Sequence, residues 1–516
     1  MKPQFSIIGA LCVATSTATP IASVNTGDIK WSPCNFANET VPIYCGKLTV
    51  PLDYTKKNST DVIELDLQRI PASKCAKKGS ILFNFGGPGS VGAASFVPFG
   101  KILQAITGGE HDLITFAPRG TGKTLPYSCF KNSLYRIPAV QTEAGRASDV
   151  AVPDIWAKST LYDASCYAAQ NKTGEFVGTA FVARDMMQIV DALKEDGLLR
   201  YWGVSYGTVL GATAVAMFPD RMDKVILDGV VNAEEYYENK EVEIWTDSED
   251  VFRGFCSSCV TNRTSCPIAG NRTSEQLESY LRRAIDDMKQ HPIAIPSPEV
   301  PGGGVLITYS LVKSILHSSL YNPSQWPGLA IIIDALLRGD ILGLGGVQPA
   351  SGGEDMTGYE EALYGIKCSD MRWHTNNLTE IMPTINARHN KSALFGDVAD
   401  SMVARCAQWP MSAKEIYRGD FKVTPKNPVL IIGNEHDPVT PLVSARNMTE
   451  RFQGSVLLEQ KSYGHVSLSQ ASICTAKAIK SYFVDGKMPA EGTKCDIDAV
   501  MWSGDDGWKD ILDKLN

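Results

Sequence analysis

The chain has 516 residues, 44% of them hydrophobic and 21% charged, with a formal net charge of -8 at pH 7. That length allows a large core and exceeds the usual single-domain size, so one enlarged domain with an insertion, or two domains, is expected. The acidic balance offers no broad basic field for nucleic acid, and no uninterrupted apolar run of membrane-spanning length follows residue 30, so neither nucleic acid nor a membrane is an expected partner.

At the N-terminus, Lys2 precedes the apolar stretch from Phe5 to Val13, and small residues occupy Thr15 to Ala18. This is the pattern of a short secretory signal spanning residues 1-18. Cysteine usage agrees with export. Of 13 cysteines, Cys12 falls inside the signal, which leaves an even dozen suited to an oxidising compartment. Zinc binding competes as an account of Cys256, Cys259 and Cys266, but no further ligand pair lies nearby and disulfides are preferred. Local pairs such as Cys34 with Cys45, Cys129 with Cys166, Cys368 with Cys406 and Cys474 with Cys495 are expected. Glycosylation sequons at Asn38, Asn58, Asn171, Asn262, Asn271, Asn377, Asn390 and Asn447 point to a secreted, extracellular glycoprotein.

In chain order, Val62 to Ile70 alternates apolar and polar residues as a strand does. Ser80 to Phe85 is a continuous apolar strand running into the glycine cluster Gly86 to Gly89, and Leu113 to Ala117 is another. Val182, Met186, Ile189, Val190 and Leu193 recur at helical spacing, with Arg184 and Asp185 opening the polar face. Tyr201-Trp202-Gly203-Val204-Ser205-Tyr206-Gly207-Thr208 then reads as strand, sharp turn and helix, and Lys224 to Asp228 as the next strand. Strands alternating with helices predict an α/β fold: a mostly parallel sheet with helices on both faces. From Asn232 to about residue 400 the text becomes acidic, cysteine-bearing and helical, which predicts an inserted cap. The alternation resumes at Pro428 to Gly433, followed by a helix over Leu442 to Phe452 and a strand over Val456 to Leu458. The expected organisation is therefore a signal (1-18), the first part of the core (19-231), the cap (232-400) and the C-terminal part of the core (401-516).

Gly-x-Ser-x-Gly between a strand and a helix is the pattern of a nucleophile elbow. Acyl transfer by serine also needs a base, a carboxylate to orient it and N-H donors for the oxyanion. The order Ser205, Asp437, His465, each after a strand, satisfies this, with Glu435 or Asp370 as alternative acids. The oxyanion donors expected are the N-H groups of Tyr206 and Gly87. Arg119 is expected to pin its loop to the core. No metal or cofactor is called for, and the substrate is a peptide or a small molecule.

Taken together, Val50-Pro51-Leu52-Asp53-Tyr54, Gly86-Gly87-Pro88-Gly89, Pro118-Arg119-Gly120-Thr121-Gly122, Gly203 to Thr208, Phe218-Pro219-Asp220-Arg221, Leu227-Asp228-Gly229-Val230, Asp437-Pro438-Val439-Thr440-Pro441 and Gly464-His465 resemble secreted α/β-hydrolases of the tripeptidyl and prolyl aminopeptidase type. The likeness covers nearly the whole mature chain and includes a segment similar to that family's C-terminal (TAP-like) domain. It implies a serine peptidase releasing short units from a free N-terminus under a cap that restricts access to chain ends. Free-terminus recognition would need carboxylates facing the site, with Glu234, Glu235 and Glu238 as candidates and a solvated acidic face as the competing account. Two departures from the family pattern stand out. Ala117 replaces the aspartate usual before Pro-Arg-Gly, and Ser90-Val91 follows the glycine loop in place of glycine and serine. An esterase or lactonase acting on a small metabolite, and a catalytically silent binding protein, are the alternatives.

Overall fold

The structure, a computed structural model, describes residues 28-37, 39-75, 78-141, 143-298, 303-340 and 358-515. The proposed signal and Asn38 lie outside the described residues. A ten-stranded sheet organises the chain. Its strands are β1 (Ser32–Pro33), β2 (Tyr44–Pro51), β3 (Val62–Ile70), β4 (Ser80–Asn84), β5 (Asp112–Phe116), β6 (Leu199–Val204), β7 (Met222–Asp228), β10 (Leu430–His436), β11 (Val456–Tyr463) and β12 (Lys494–Asp496). A separate antiparallel hairpin joins β8 (Ile293–Pro296) to β9 (Gly304–Ile307). The sheet order is β1-β2-β3-β5-β4-β6-β7-β10-β11-β12, antiparallel up to β5 and parallel from there on.

The central strands β4 and β6 are buried along their whole length, which is why they read as unbroken apolar runs. Successive β4 side chains enter opposite layers: Leu82 joins the core on one face, Ile81 and Phe83 the core on the other. Register sets the functional edge. Asn84 pairs with Gly203, Val204 with Asp228, and Ile432 also with Asp228, so the loops leaving β4, β6, β7 and β10 emerge side by side. In open parallel sheets, ligands bind at this carboxyl edge.

The chain between β7 and β10 is mainly helical and carries its own apolar core, including Trp245, Phe252, Phe255, Leu316 and Trp326. A second segment joins the same layer. The helix Ala151–Gln170, between β5 and β6, packs Ile155 against Ile381, Ile385 and Val403 of the helices Leu378–Lys391 and Asp400–Gln408. Its buried stripe runs through Ala151, Ile155, Ser159, Tyr162, Asp163 and Cys166, too mixed in polarity to stand out as an apolar period.

Asp163 on that stripe carries a physical consequence. Both carboxylate oxygens are buried without a hydrogen-bond partner, and burial pushes the group from its ordinary 3.8 up to about 8 against the opposing pull of Arg405. The folded protein holds a proton there that the unfolded chain releases, so stability is full below the ordinary carboxylate range and falls as pH rises towards about 8. Asp163→Asn removes that dependence. Thermal melts between about pH 5 and pH 8 should show the wild-type melting temperature falling several degrees more than that of the variant.

Five disulfides are present among the described residues: Cys34–Cys45, Cys129–Cys166, Cys259–Cys266, Cys368–Cys406 and Cys474–Cys495. The preference for disulfides over Cys256, Cys259 and Cys266 needs correction at Cys256, which is a buried free thiol; Cys75 is an exposed one. Cys256 lies on the core side of the helix Ser248–Thr261, where it packs as an apolar side chain. Among the sequons, Asn58, Asn171, Asn271, Asn377 and Asn390 are exposed. Asn262 and Asn447 are half-buried and donate their amide N-H to Ser258 and Glu243. Asp185, read as the start of a polar face, is fully buried: it accepts from Arg119 and Tyr54, while Arg119 also donates to the carbonyls of Pro51 and Leu52. Arg119 thus ties its loop to the core, and removing either member of the buried pair would cost about 3–5 kcal/mol. No helix among the described residues is long and apolar enough to cross a membrane.

Candidate active site

β6 ends at Val204 and the helix Tyr206–Met217 starts at the second residue after it, so Ser205 alone makes the turn, at φ 56° and ψ -129°. A serine held there stores roughly 1–3 kcal/mol of backbone strain. The surroundings enforce it: Ser205 N-H donates to the Asp228 carbonyl (3.1 Å), and the Ser205 carbonyl accepts from Thr208 N-H (2.8 Å) and Thr208 Oγ1 (2.6 Å). Both flanking glycines are required by contact. A Cβ on Gly203 would meet the Gly207 carbonyl oxygen at 2.2 Å, and one on Gly207 would meet that of Asn84 at 2.4 Å.

The glycine loop after β4 lies directly against this turn. Gly86 and Gly87 both have positive φ (88° and 109°), the Gly87-Pro88 peptide is cis, and Gly86 N-H donates to Asn84 Oδ1 at 3.0 Å. A Cβ on Gly86 would come within 2.7 Å of Ser205 Cβ and 3.1 Å of Tyr206 N, so glycine is what lets the loop approach the serine. Behind Tyr206 stands a buried polar network. The Tyr206 hydroxyl and Thr179 Oγ1 share a hydrogen bond (2.5 Å), and Asp370 accepts from Thr179 N-H, Thr179 Oγ1 and Tyr236 OH. Burial lifts the Asp370 carboxyl to about 6. Asp370, an alternative acid in the sequence, therefore braces the wall behind Tyr206, and the other alternative, Glu435, is exposed.

Asp437 leaves β10 fully buried. Its oxygens face His465 Nδ1 at 3.0 and 3.2 Å and accept from the N-H groups of Val439, Thr440 and Val466 and from Thr440 Oγ1. Burial works to raise this carboxyl, but the facing imidazole and the donors hold it below the ordinary range. His465 N-H donates to the Tyr321 carbonyl at 2.6 Å, and the Tyr321 ring stands edge-on to the imidazole with centroids 5.1 Å apart. Gly464 (φ 92°) is needed here too, since a Cβ would strike Pro323 Cδ at 2.5 Å.

Ser205, Tyr206, Gly87, Pro88, Ser90 and His465 line one cavity of about 420 Å³. Of the two departures from the family pattern, Ser90 lines this cavity, and Ala117 borders a separate surface depression instead. The acidic candidates for terminus recognition are placed elsewhere. Glu234 pairs with Arg451, Glu238 with Arg372, and Glu235 accepts from Glu243 N-H (2.9 Å); none of the three lines the cavity. The helix Ala233–Tyr237 directs its buried face, Tyr236 included, towards the core and leaves those carboxylates turned to other partners. The member of the acidic run that does reach the cavity is Glu241, joined by Lys367, Arg388 and His317. Burial pulls His317 down to about 4, so its imidazole is neutral at physiological pH. His317, Lys367 and Arg388 sit on three separate helices and Glu241 in a loop, with no motif around any of them. Only the run containing Glu241 gave any signal.

The chain matches the model described as alpha/beta hydrolase fold over residues 79–283 and that of the TAP-like protein over residues 391–495. It is 27% identical to a tripeptidyl aminopeptidase of Streptomyces lividans, covering 93% of this chain and 89% of that protein. It is 28% identical to the serine protease Hip1 of Mycobacterium tuberculosis, covering 90% and 91% respectively. A carboxylesterase B from Mycobacterium tuberculosis is 24% identical, with 92% of each chain covered. With the sheet order and the elbow described above, the chain has the α/β-hydrolase fold with a TAP-like C-terminal segment, and is similar over most of its length to proteins named tripeptidyl aminopeptidase and serine protease.

Proposed function

We propose that this serine hydrolase is an exported peptidase that releases short peptides or single residues from free N-termini through an acyl-enzyme. The observation that carries the chemistry is the His465–Asp437 pair, 3.0 Å apart, facing a cavity that also holds Ser205 at its strained turn. In this reading Ser205 Oγ attacks the carbonyl carbon as His465 Nε2 takes its proton, and Asp437 holds the imidazole by Nδ1-H. The N-H groups of Gly87 and Tyr206 stabilise the oxyanion. His465 then gives the proton to the departing amine, and water, deprotonated by the same imidazole, hydrolyses the ester. Residues 232-400 act as the cap over a core formed by 19-231 and 401-516. Export with a signal over 1-18 and glycosylation accord with the five disulfides and the exposed sequons.

The free-terminus preference rests on the names of the relatives and on Glu241, the cavity carboxylate from the acidic run, whose Oε2 lies 2.7 Å from Lys367 Nζ. The likeness to a carboxylesterase keeps small esters as a second substrate class. Matched peptides with free and acetylated N-termini, assayed beside a neutral aryl ester, separate the readings. We expect the free peptides to be cleaved at least about tenfold faster, the worth of one charge-assisted contact. Equal rates would remove the aminopeptidase assignment, and turnover of the ester alone would favour the esterase.

A further inference from the structure

The end of the cavity lined by Lys367, Arg388 and Trp245 is a built polar site that the acyl-transfer steps do not use. Arg388 comes from the helix Leu378–Lys391, is only 1% exposed, and lines the cavity, yet its Nε and Nη1 have no hydrogen-bond partner. Its guanidinium lies over the Trp245 ring, 5.4 Å from the centroid. Trp245 contacts His317 (5.2 Å between centroids), His317 contacts Tyr321 (5.6 Å), and Tyr321 contacts His465 (5.1 Å). A continuous wall of rings thus runs from the proposed base to the guanidinium.

Buried guanidinium N-H groups left without acceptors are costly and rare. The nearby carboxylates do not relieve them. Burial holds the Arg388 guanidinium below its ordinary range, opposed through space by Asp400, Glu241 and Glu235. Glu241 is engaged with Lys367, Glu235 with Glu243 N-H, and Asp400 with His389 Nε2 through Oδ2 (2.6 Å), while Asp400 Oδ1 has no hydrogen-bond partner and makes none with Arg388. Lys367 adds a second buried cation 4.1 Å from the Tyr236 ring centroid. Arginine can only donate, and its planar fork matches two oxygens on one carbon.

Taking this cavity as the substrate site, as in the reading above, we propose that Arg388 forms a subsite for a carboxylate of the substrate. Two sources share that chemistry: an acidic side chain in the acyl portion, or the terminal carboxylate of a short peptide. The test uses matched pairs on the full-length protein. These are peptidyl anilides with Glu or Gln in the acyl part, short peptides as free acids or C-terminal amides, and the p-nitrophenyl esters of glutarate and pentanoate. In at least one pair the carboxylate member should have the higher kcat/KM, and Arg388→Met should lower the ratio within that pair by about 10- to 100-fold. Arg388→Lys, which keeps charge and loses the fork, should fall between. The responding pair identifies the source.

Ratios near one in all three pairs for the wild type, or ratios unchanged in Arg388→Met, would overturn the proposal. If Arg388→Met does not fold, the wild-type ratios decide alone. Calorimetric titration of Ser205→Ala with glutarate and with glutaramide makes the outcome independent of turnover. Tighter binding of the dianion supports the subsite even if no peptide is cleaved. Equal or absent binding of both counts against it.

Discussion

Ser205→Ala is expected to abolish labelling by a fluorophosphonate probe and to lower turnover of any accepted substrate by roughly a thousandfold or more. The variant keeps the Cβ and therefore the same positive-φ backbone at the turn. The hydrogen bonds that enforce the elbow run through the backbone of Ser205 to Asp228 and Thr208, so they survive the exchange. The melting temperature should stay within a few degrees of wild type, which separates loss of chemistry from loss of fold. An unlabelled wild type, matching the variant, would sink the enzymatic assignment and leave the binding-protein alternative.

The second large effect is expected from Asp437→Asn: a fall in kcat of about a thousandfold to ten-thousandfold with KM little changed. The carboxylate accepts three backbone N-H bonds and the Thr440 hydroxyl while facing His465 Nδ1, so every direction around it is supplied by donors. An asparagine must turn its own NH₂ into that set. Either it faces a backbone N-H, or it faces Nδ1 and forces the imidazole into the tautomer that presents a proton to Ser205. Steady-state kinetics and the probe-labelling rate should fall together. Retention of more than about a tenth of wild-type kcat would mean that another group orients His465.

Legibility in the sequence followed the physical locality of each signal. β4 and β6 are buried on both faces, so their apolar runs are visible without any partner. The glycines of the elbow are demanded by contacts within a few residues or with the adjacent strand, and they appear as spacing. Asp437 and His465 lie immediately after strands, and chain order alone proposes their roles. Glu234, Glu235 and Glu238 show the limit. A run of carboxylates announces charge but not direction, and the packing of Tyr236 in the core turned those three away from the cavity while Glu241 reached it. The free thiol at Cys256 shows the same limit, since Cys256 and Cys259 share the buried face of one helix and only the position of Cys266 decided which of them is paired.

By itself, then, the sequence determined the alternation of strands and helices, the elbow and the order of serine, aspartate and histidine, because these depend on short-range sterics and on a period read along one segment. Only the tertiary structure decided what lines the space above Ser205. Arg388, Lys367, Glu241 and His317 come from different segments with no shared period. Their convergence depends on how the helices between β7 and β10 pack on one another and on the helix Ala151–Gln170, and long-range packing leaves no local trace in the chain.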